Sequence, residues 1–225
     1  MRTRITKTLL DSWNYMFDCA EGQEDNAREE FLTTLKREQT PPNEAQQAGL
    51  DFEHLVMEIA EGRFVPEWVG DGTVNSVSGE AMGYDKYPKN YAGAKKIAEI
   101  VQGGQWQVHV DTNLTVDGRD FWLHGFCDVV KAGVIYDIKF KNKSFGGLDL
   151  YGSYRGHSQH SAYLRCLPEA YQFVYLVSDG DDLYTEAYDR KNSEPIENII
   201  HHFLEWMKTE PELLKIYEER WVVDG

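Results

Sequence analysis

Three runs of alternating apolar and polar residues between positions 106 and 140 constrain the fold of this chain most. The runs are WQVHVDTNLTV, FWLHGFCDVV and VIYDIKF, with Asp117-Gly118 between the first two and Lys131-Ala132-Gly133 between the last two. A period of two is typical of strands with one buried face, and Asp-Gly is a strong hairpin signal. The sequence therefore predicts a meander of three β-strands.

Helical patterns surround this meander. Before it, capping residues, prolines and glycines predict helices at 6–20, 26–37, 43–62 and 91–101, with Asn43 as an N-cap, and a loop at 63–91. After it, we expect helices at 154–167, 193–209 and 211–221, and strands at 170–179 and 183–190. This order of helices and strands is typical of the α/β class.

The composition indicates the class of protein and the cellular compartment that we expect. The 225 residues are 41% hydrophobic and 13% aromatic, which predicts one globular domain. No apolar run approaches the ~20 residues of a membrane helix, and we expect no secretory signal in MRTRITKTLL. The scattered Cys19, Cys127 and Cys166 do not form the paired spacing of a zinc ribbon, an iron–sulfur cluster or a disulfide framework. A reducing, cytoplasmic setting fits this cysteine usage.

The net charge of −15 opposes a nucleic-acid partner, because phosphate binding depends on Lys and Arg. Much of the acid, however, lies at 21–30 and 205–219, far in sequence from the meander. Lys139, Lys141, Lys143 and Arg155 follow the acidic residues of the meander, and a bound divalent cation would add positive charge.

The second hairpin carries a charged constellation. Asp137 and Lys139 should point to one face of the last strand and Ile138 to the other, while Asp128 lies across the turn. Two carboxylates beside one ammonium suit metal-assisted phosphodiester hydrolysis. A solvated charged face is the alternative interpretation.

Two helical patterns support the catalytic interpretation. Glu53, or its neighbour His54, lies at the edge of an apolar helix side and could complete a metal shell, although a surface Glu beside a helix-face His would look the same. Gln159 and Tyr163 share a helix face and could bind phosphate oxygens or the lysine, or simply bond to each other. We interpret the nearby His157 and His160 as solvated, or as weak phosphate contacts.

In chain order, these residues resemble the motifs of the PD-(D/E)XK nuclease superfamily, above all its RecB-like and lambda-exonuclease-like branches. The matching residues are Gly49 with Glu53 or His54, Gly125 with Asp128, Asp137 with Lys139, and Gln159 with Tyr163. The resemblance spans about residues 49–176 and depends on the order and spacing of short motifs. It implies a restriction-endonuclease-like core, a mixed central β-sheet flanked by helices. We expect one domain over 1–225, with a helical N-terminal part at 1–62, a core at about 43–190 and C-terminal helices at 193–221.

The resemblance also implies residue roles. Glu53 or His54, Asp128, Asp137 and the carbonyl of Ile138 would hold one or two Mg²⁺ or Mn²⁺ ions, and Lys139 would orient or deprotonate the attacking water. Gln159, Tyr163, Lys141, Lys143 and Arg155 would contact the DNA strand. The implied activity is that of a self-standing deoxyribonuclease, an exonuclease of phage recombination or DNA repair, in the cytoplasm of a bacterial or phage-infected cell. We expect no iron–sulfur cluster, because the four cysteines that some relatives use for one are absent, and no membrane partner. A homo-oligomer or a single-strand annealing or recombination partner is compatible with the resemblance.

A function of another class stays open. The same fold could serve as a catalytically silent binding module whose acidic surface docks a protein. The aromatic residues Trp106, Trp122, Tyr151 and Tyr154 could stack on unpaired bases or pack in the core.

Overall fold

The computed structural model describes residues 2–64, 66–68, 74–76, 88–146 and 150–223. It contains nine strands and seven helices within these ranges. The strands are β1 (Arg2–Ile5), β2 (Pro66–Trp68), β3 (Val74–Ser76), β4 (Gln105–Val116), β5 (Arg119–Lys131), β6 (Val134–Phe140), β7 (Gln172–Ser178), β8 (Leu183–Tyr188) and β9 (Val222–Val223). The helices are α1 (Lys7–Asp18), α2 (Glu24–Leu35), α3 (Glu44–Ala60), α4 (Pro88–Val101), α5 (Gln159–Cys166), α6 (Ile196–Thr209) and α7 (Pro211–Arg220).

One mixed sheet organises the fold. Its strand order is β8-β7-β6-β5-β1-β9, and β4 also pairs with β5. The β1–β5 and β6–β7 pairs are parallel, and the other pairs of this sheet are antiparallel. The predicted α/β fold with a mixed central sheet flanked by helices is confirmed.

The hairpin turns follow from residues that tolerate a left-handed backbone. Asp117 and Gly118 have φ of 52° and 74°, and Ala132 and Gly133 have φ of 50° and 78°. Two consecutive residues at positive φ are typical of the two-residue turn that matches strand twist. The predicted meander of β4, β5 and β6 is therefore present, in antiparallel register.

Helices cover the sheet on both faces. Phe52 and Val56 of α3 and Ile97 of α4 pack against Val129 and Ile138. A second core joins α1, α5 and α6 to the opposite face, with Leu9, Ala162 and Phe203 among its members. Asn43 caps α3 through a capping box, in which its side chain accepts the Gln46 N–H and its own N–H bonds the Gln46 side chain.

The structure differs from the sequence prediction at several elements. The predicted helical part at 1–62 begins with β1, a strand of the main sheet, and β9 follows the last helix. The predicted helix at 154–167 starts only at Gln159. Within the predicted loop at 63–91, residues 66–68 and 74–76 pair as strands and α4 begins at Pro88, while 65, 69–73 and 77–87 lie outside the described residues.

Strands β1 and β9 could not be predicted from a sequence pattern, for a physical reason. Strand β1 has four residues and β9 has two, which is too few for a period of two to appear. Their pairing partners, Phe121–Leu123 for β1 and β1 itself for β9, are more than a hundred positions away in sequence.

None of the described helices combines the length and the apolar composition needed to cross a bilayer.

Candidate active site

A cleft opens in the main sheet where strand β5 changes partners. Along one edge β5 pairs with β4 over nearly its whole length. On the other edge it pairs with β1 at residues 121–123 and with β6 at residues 129–131. Among the described strands, none pairs with that edge over residues 124–128. A cleft of about 690 Å³ lies there, and Glu53, Asp128, Asp137 and Lys139 all line it.

Asp137 and Lys139 form an ion pair on one face of β6. Lys139 Nζ lies 2.6 Å from Asp137 Oδ2, and Ile138 between them packs against α3 and α4 on the opposite face. Gln159 of α5 donates a hydrogen bond to Asp137 Oδ1. Burial alone would lower the pKa of Lys139, but Asp137 and Asp128 outweigh it and raise that pKa above its ordinary value. The ammonium therefore stays charged beside a buried carboxylate.

At the point where β5 and β6 separate, the side chain of Asp128 takes the place of a backbone hydrogen-bond acceptor for β6. The antiparallel register ends at the Val129–Tyr136 pair, and beyond it Asp128 Oδ2 accepts the backbone N–H of Ile138 at 2.8 Å. Burial raises the pKa of Asp128 well above its ordinary value, and the charges of Asp137 and Glu53 add to this effect. The cleft thus concentrates negative charge that protein cations neutralise only in part.

Glu53 reaches the cleft from α3 and is held by a residue that the sequence did not single out. Gln107 Nε2 donates to Glu53 Oε1 at 2.6 Å. Gln107 lies within β4 yet has φ of 49°, a left-handed backbone that costs a non-glycine residue about 1–3 kcal/mol. Such strain is common where the surrounding structure fixes a functional side chain. A Gln inside an alternating strand carries no sequence signal for this role.

Glu53 and His54, the two alternative metal ligands on α3, lie in different surroundings. Burial raises the pKa of Glu53, followed by the charge of Asp137, whereas Lys139 and the Gln107 hydrogen bond lower it. Glu53 therefore shares the electrostatic environment of the other carboxylates. The side chain of His54 is 47% exposed and lies 4.0 Å from Glu58, at the rim of the same cleft.

The possible ligands in the cleft are of the chemical type that binds a hard divalent cation, but the carboxylates are widely spaced. Carboxylates and a backbone carbonyl are the ligands that Mg²⁺ and Mn²⁺ prefer. Burial first, and then the charges of neighbouring carboxylates, raise the pKa values of Glu53 and Asp128, and a cation would offset the repulsion. Gln159 Oε1 is buried without a hydrogen-bond partner. Glu53, Asp128 and Asp137 are more widely spaced than the one described trio whose ligand atoms all lie within 4.8 Å of one another, Asp117, His201 and Glu205. Water ligands or small side-chain movements would have to complete a shell.

Tyr163 closes the unpaired edge of β5 from α5. Its hydroxyl accepts the backbone N–H of Phe126, and its ring leaves no room for a side chain at Gly125, where a Cβ would lie 2.5 Å from the ring. Gly125 is thus required by close packing. Gly49 differs, because a Cβ there would meet nothing within 4 Å. Tyr163 bonds to β5 and Gln159 to Asp137, so the two do not bond to each other as the alternative interpretation had it.

Three of the predicted phosphate contacts do not line the cleft. Lys141 Nζ lies 5.8 Å from the centre of the Tyr154 ring, Lys143 is exposed on the following loop, and Arg155 lines a separate cavity of about 210 Å³. The cleft is lined instead by Lys7, His124 and Phe126, which sequence reasoning missed. Lys7 starts α1 two positions after the end of β1, so it enters the cleft because β1 joins the sheet.

The interpretation of His160 as solvated is wrong. His160 is only 2% exposed, stacks on Tyr188 at 4.0 Å between ring centres, and lies 3.3 Å from the Tyr175 hydroxyl. Burial, with help from His157, lowers its pKa to about 4 and keeps it neutral. Among the candidate stacking residues, Tyr154 packs on Tyr175 in the core, whereas Tyr151 is 92% exposed.

The chain resembles solved structures in its fold. It superposes on the crystal structure of a putative exonuclease from Eubacterium rectale with a TM-score of 0.52 at 12% identity, over 99% of this chain and 83% of that one. The crystal structure of LHK-Exo in complex with dAMP gives a TM-score of 0.44 at 14% identity, over 97% of this chain and 94% of that one. No family model matches the sequence, and no curated protein does. The first likeness shows a shared fold, with a mixed sheet flanked by helices.

Proposed function

We propose that this protein is a metal-dependent deoxyribonuclease of the PD-(D/E)XK type, acting as an exonuclease. The observation that carries the proposal is the Asp137–Lys139 pair on β6, which faces one cleft together with Asp128 and Glu53. A buried acid paired with a charged lysine, beside two carboxylates of raised pKa, matches the needs of phosphodiester hydrolysis better than those of a solvated surface.

Each of the cleft residues has a separate role in the proposed hydrolysis. Asp128, Asp137 and Glu53, with the carbonyl of Ile138, would hold Mg²⁺ or Mn²⁺, while His54 at the rim is the less suitable ligand. A bound ion would make water more acidic and offset the charge of the phosphoryl oxygens. Lys139, kept protonated by its neighbours, donates to the attacking water or to a phosphoryl oxygen. Gln159 fixes the orientation of Asp137, and Gln107 fixes that of Glu53.

The proposed substrate is DNA, and the proposed setting is phage recombination or DNA repair in the cytoplasm. An acidic protein can bind DNA only through a local site, since its net charge of −15 repels phosphate at long range. Lys7 and Lys139 at the cleft, together with a bound metal ion, would supply that local positive charge.

The test is incubation with linear and circular DNA, single- and double-stranded, in Mg²⁺ or Mn²⁺. We expect cleavage of linear DNA that EDTA abolishes, and a loss of about 10²–10³-fold or more for Asp137→Asn. Asp117→Asn is the matched control, because Asp117 belongs to an exposed trio with His201 and Glu205 outside the cleft lining, and it should cut at the parental rate. Cleavage in EDTA, or parental cleavage by Asp137→Asn, would refute the proposal.

A catalytically silent binding module is the second candidate, and the spacing of the carboxylates favours it. Both Asp137 oxygens already have protein partners, and Asp128 is engaged by the Ile138 N–H. Calorimetric titration with Mn²⁺ separates the candidates. Binding that disappears in Asp128→Asn supports the nuclease, and absence of binding in the parent supports the silent module.

A further inference from the structure

A row of aromatic and imidazole rings extends from the cleft along the outer face of β5. Trp122, His124 and Phe126 alternate with Phe121, Leu123 and Cys127, which are buried in the core. On β4, Asn113, Asp111 and His109 are the register partners of the three ring-bearing residues. We call Trp122, His124, His109 and Phe126 the ring row.

The ring row is continuous and ends in the cleft. The rings of Trp122 and His124 stack at 4.3 Å, His124 and His109 are 6.2 Å apart, and His109 lies 5.1 Å from Phe126. Phe126 is 53% exposed, and both Phe126 and His124 line the cleft. An exposed phenylalanine at the mouth of a polar cleft offers a free ring face to a ligand.

Arginines lie at the far end of the ring row. The guanidinium groups of Arg2 and Arg4 lie 5.6 and 5.1 Å from the centre of the Trp122 ring. Asn113 accepts a hydrogen bond from Arg2 at 2.7 Å, which fixes that side chain along the strand. Asp111 accepts the Trp122 indole N–H at 2.8 Å and is the acidic neighbour of this group.

The local potential at this end is positive although the protein is acidic. Burial lowers the pKa of Arg4, and the charge of Arg37 lowers it further. Burial also lowers the pKa of His124, with Arg4 and His109 contributing and Asp111 opposing. Cations that lower one another's pKa values repel, and a bound anion would offset that repulsion.

We propose that the ring row and its arginines bind one strand of single-stranded DNA that enters the cleft. Phe126 stacks on a base at the cleft mouth, and Arg2 and Arg4 hold phosphates further along the same strand. Four residues of β-strand separate Phe126 from Trp122, about 13 Å, the length of about four stacked nucleotides. This surface rests on the proposed function, because it defines the substrate of that same cleft.

The chemistry favours a single strand over a duplex. Stacking on protein rings requires unpaired bases, whose faces a duplex hides. A narrow row with cations at one end also suits one backbone, whereas a broad duplex contact would meet the repulsion of a chain with net charge −15.

Fluorescence anisotropy with a labelled 15-nucleotide oligothymidine in Ca²⁺ tests this surface, in an Asp137→Asn background that does not cut. We expect Phe126→Ala to weaken binding about five- to a hundred-fold. Arg2→Gln should weaken it less and reduce the salt dependence by about one phosphate contact, a slope change of ~0.7. Phe17→Ala is the matched control, since Phe17 is 59% exposed on α1, outside the cleft lining, and should leave affinity unchanged.

Each other outcome overturns the proposal. Parental affinity in Phe126→Ala, no oligothymidine binding in the background protein, or an equal loss for labelled duplex would do so. A dimer in size-exclusion chromatography that Phe126→Ala dissociates would show that a second copy covers this face instead. Because binding is measured without cleavage, failure of the surface is distinguishable from failure of the nuclease, which would show as uncut DNA in Mg²⁺ and Mn²⁺.

Discussion

Gln107 of β4 donates a hydrogen bond of 2.6 Å to Glu53 of α3 across the edge of the cleft. The two residues are far apart in sequence and belong to different layers of the fold. Because burial and Asp137 raise the pKa of Glu53, its carboxylate would move toward solvent if nothing held it. The amide of Gln107 therefore positions Glu53, which, among the described residues lining the cleft, is the acidic one that a helix carries.

Gln107→Ala should lower metal-dependent cleavage by about 10–100-fold, the usual cost of removing a partner of a metal ligand. The loss should be smaller at saturating Mn²⁺, since the defect lies in holding the ion. Metal titrations of the cleavage rate measure this.

Gln107→Gly is the matched variant. It removes the same amide but tolerates the left-handed backbone at φ of 49°. The Gln107→Gly protein should therefore cleave DNA as poorly as the Gln107→Ala protein and be more stable than it by about 1 kcal/mol. If Gln107→Ala kept parental activity and metal dependence, the positioning role would be wrong.

Asp128→Asn should stabilise the protein while it abolishes cleavage. The folded-state pKa of Asp128 lies above its unfolded value, so the native state binds more protons between the two values and stability falls as the pH rises through that window. Asparagine removes the repelled charge and can still accept the Ile138 N–H. We expect a melting temperature higher by about 2–4 °C at pH 8, the shift that 1 kcal/mol produces in a chain of this size.

The difference between Asp128→Asn and the parent should shrink as the pH is lowered below the folded-state pKa. Differential scanning calorimetry from pH 5 to 8 measures it, and Asp181→Asn, at an exposed position between β7 and β8, should show no such trend. A melting temperature that falls in Asp128→Asn at pH 8 would contradict the assignment of repulsion to this carboxylate.

Lys139→Met should destabilise the protein, because it leaves Asp137 charged and buried with Gln159 as its remaining partner. Breaking a buried ion pair costs about 3–5 kcal/mol, and we expect about 1–3 here because Lys139 is 31% exposed. The double variant Asp137→Asn with Lys139→Met removes both charges and should recover most of that loss. Urea unfolding of the single and double variants gives the coupling, and equal instability of both would show that charge is not the cause.

Gly125→Ala should cost about 1–3 kcal/mol, because the new methyl group would overlap the Tyr163 ring. In a Tyr163→Ala background the same change should cost much less. Gly49→Ala is the control within the predicted motifs: it adds a methyl group to open space in α3 and should be neutral or stabilise by up to about 1 kcal/mol. Similar losses at both glycines would argue against close packing as the reason for Gly125.

Local sequence patterns were sufficient to predict the strands and the helix that carry the acidic residues of the cleft. The alternation in β6 requires Asp137 and Lys139 to share a face, and the Ala132-Gly133 turn brings Asp128 to the same end of the hairpin. Capping chemistry at Asn43 fixed the start of α3 and hence the position of Glu53. These features depend on neighbours within a few residues, so a single sequence can reveal them.

The cationic lining was not predictable in the same way. Charge adjacency in sequence favoured Lys141, Lys143 and Arg155, but loops and side-chain packing direct these residues away from the cleft lining. Lys7 enters the site because β1 pairs with β5 at Phe121–Leu123. A four-residue strand leaves no periodic signal, and its partner is more than a hundred positions distant.

The sequence by itself determined the meander, the helices around it and the presence of an acid–acid–lysine hairpin, since strand alternation and turn chemistry are local. Only the tertiary structure decided which groups contact the acidic residues of the cleft, Gln159 at Asp137 and Gln107 at Glu53, and that Tyr163 packs against Gly125. The physical reason is the split edge of β5, where β1 and β6 take separate segments and leave between them the gap that forms the cleft.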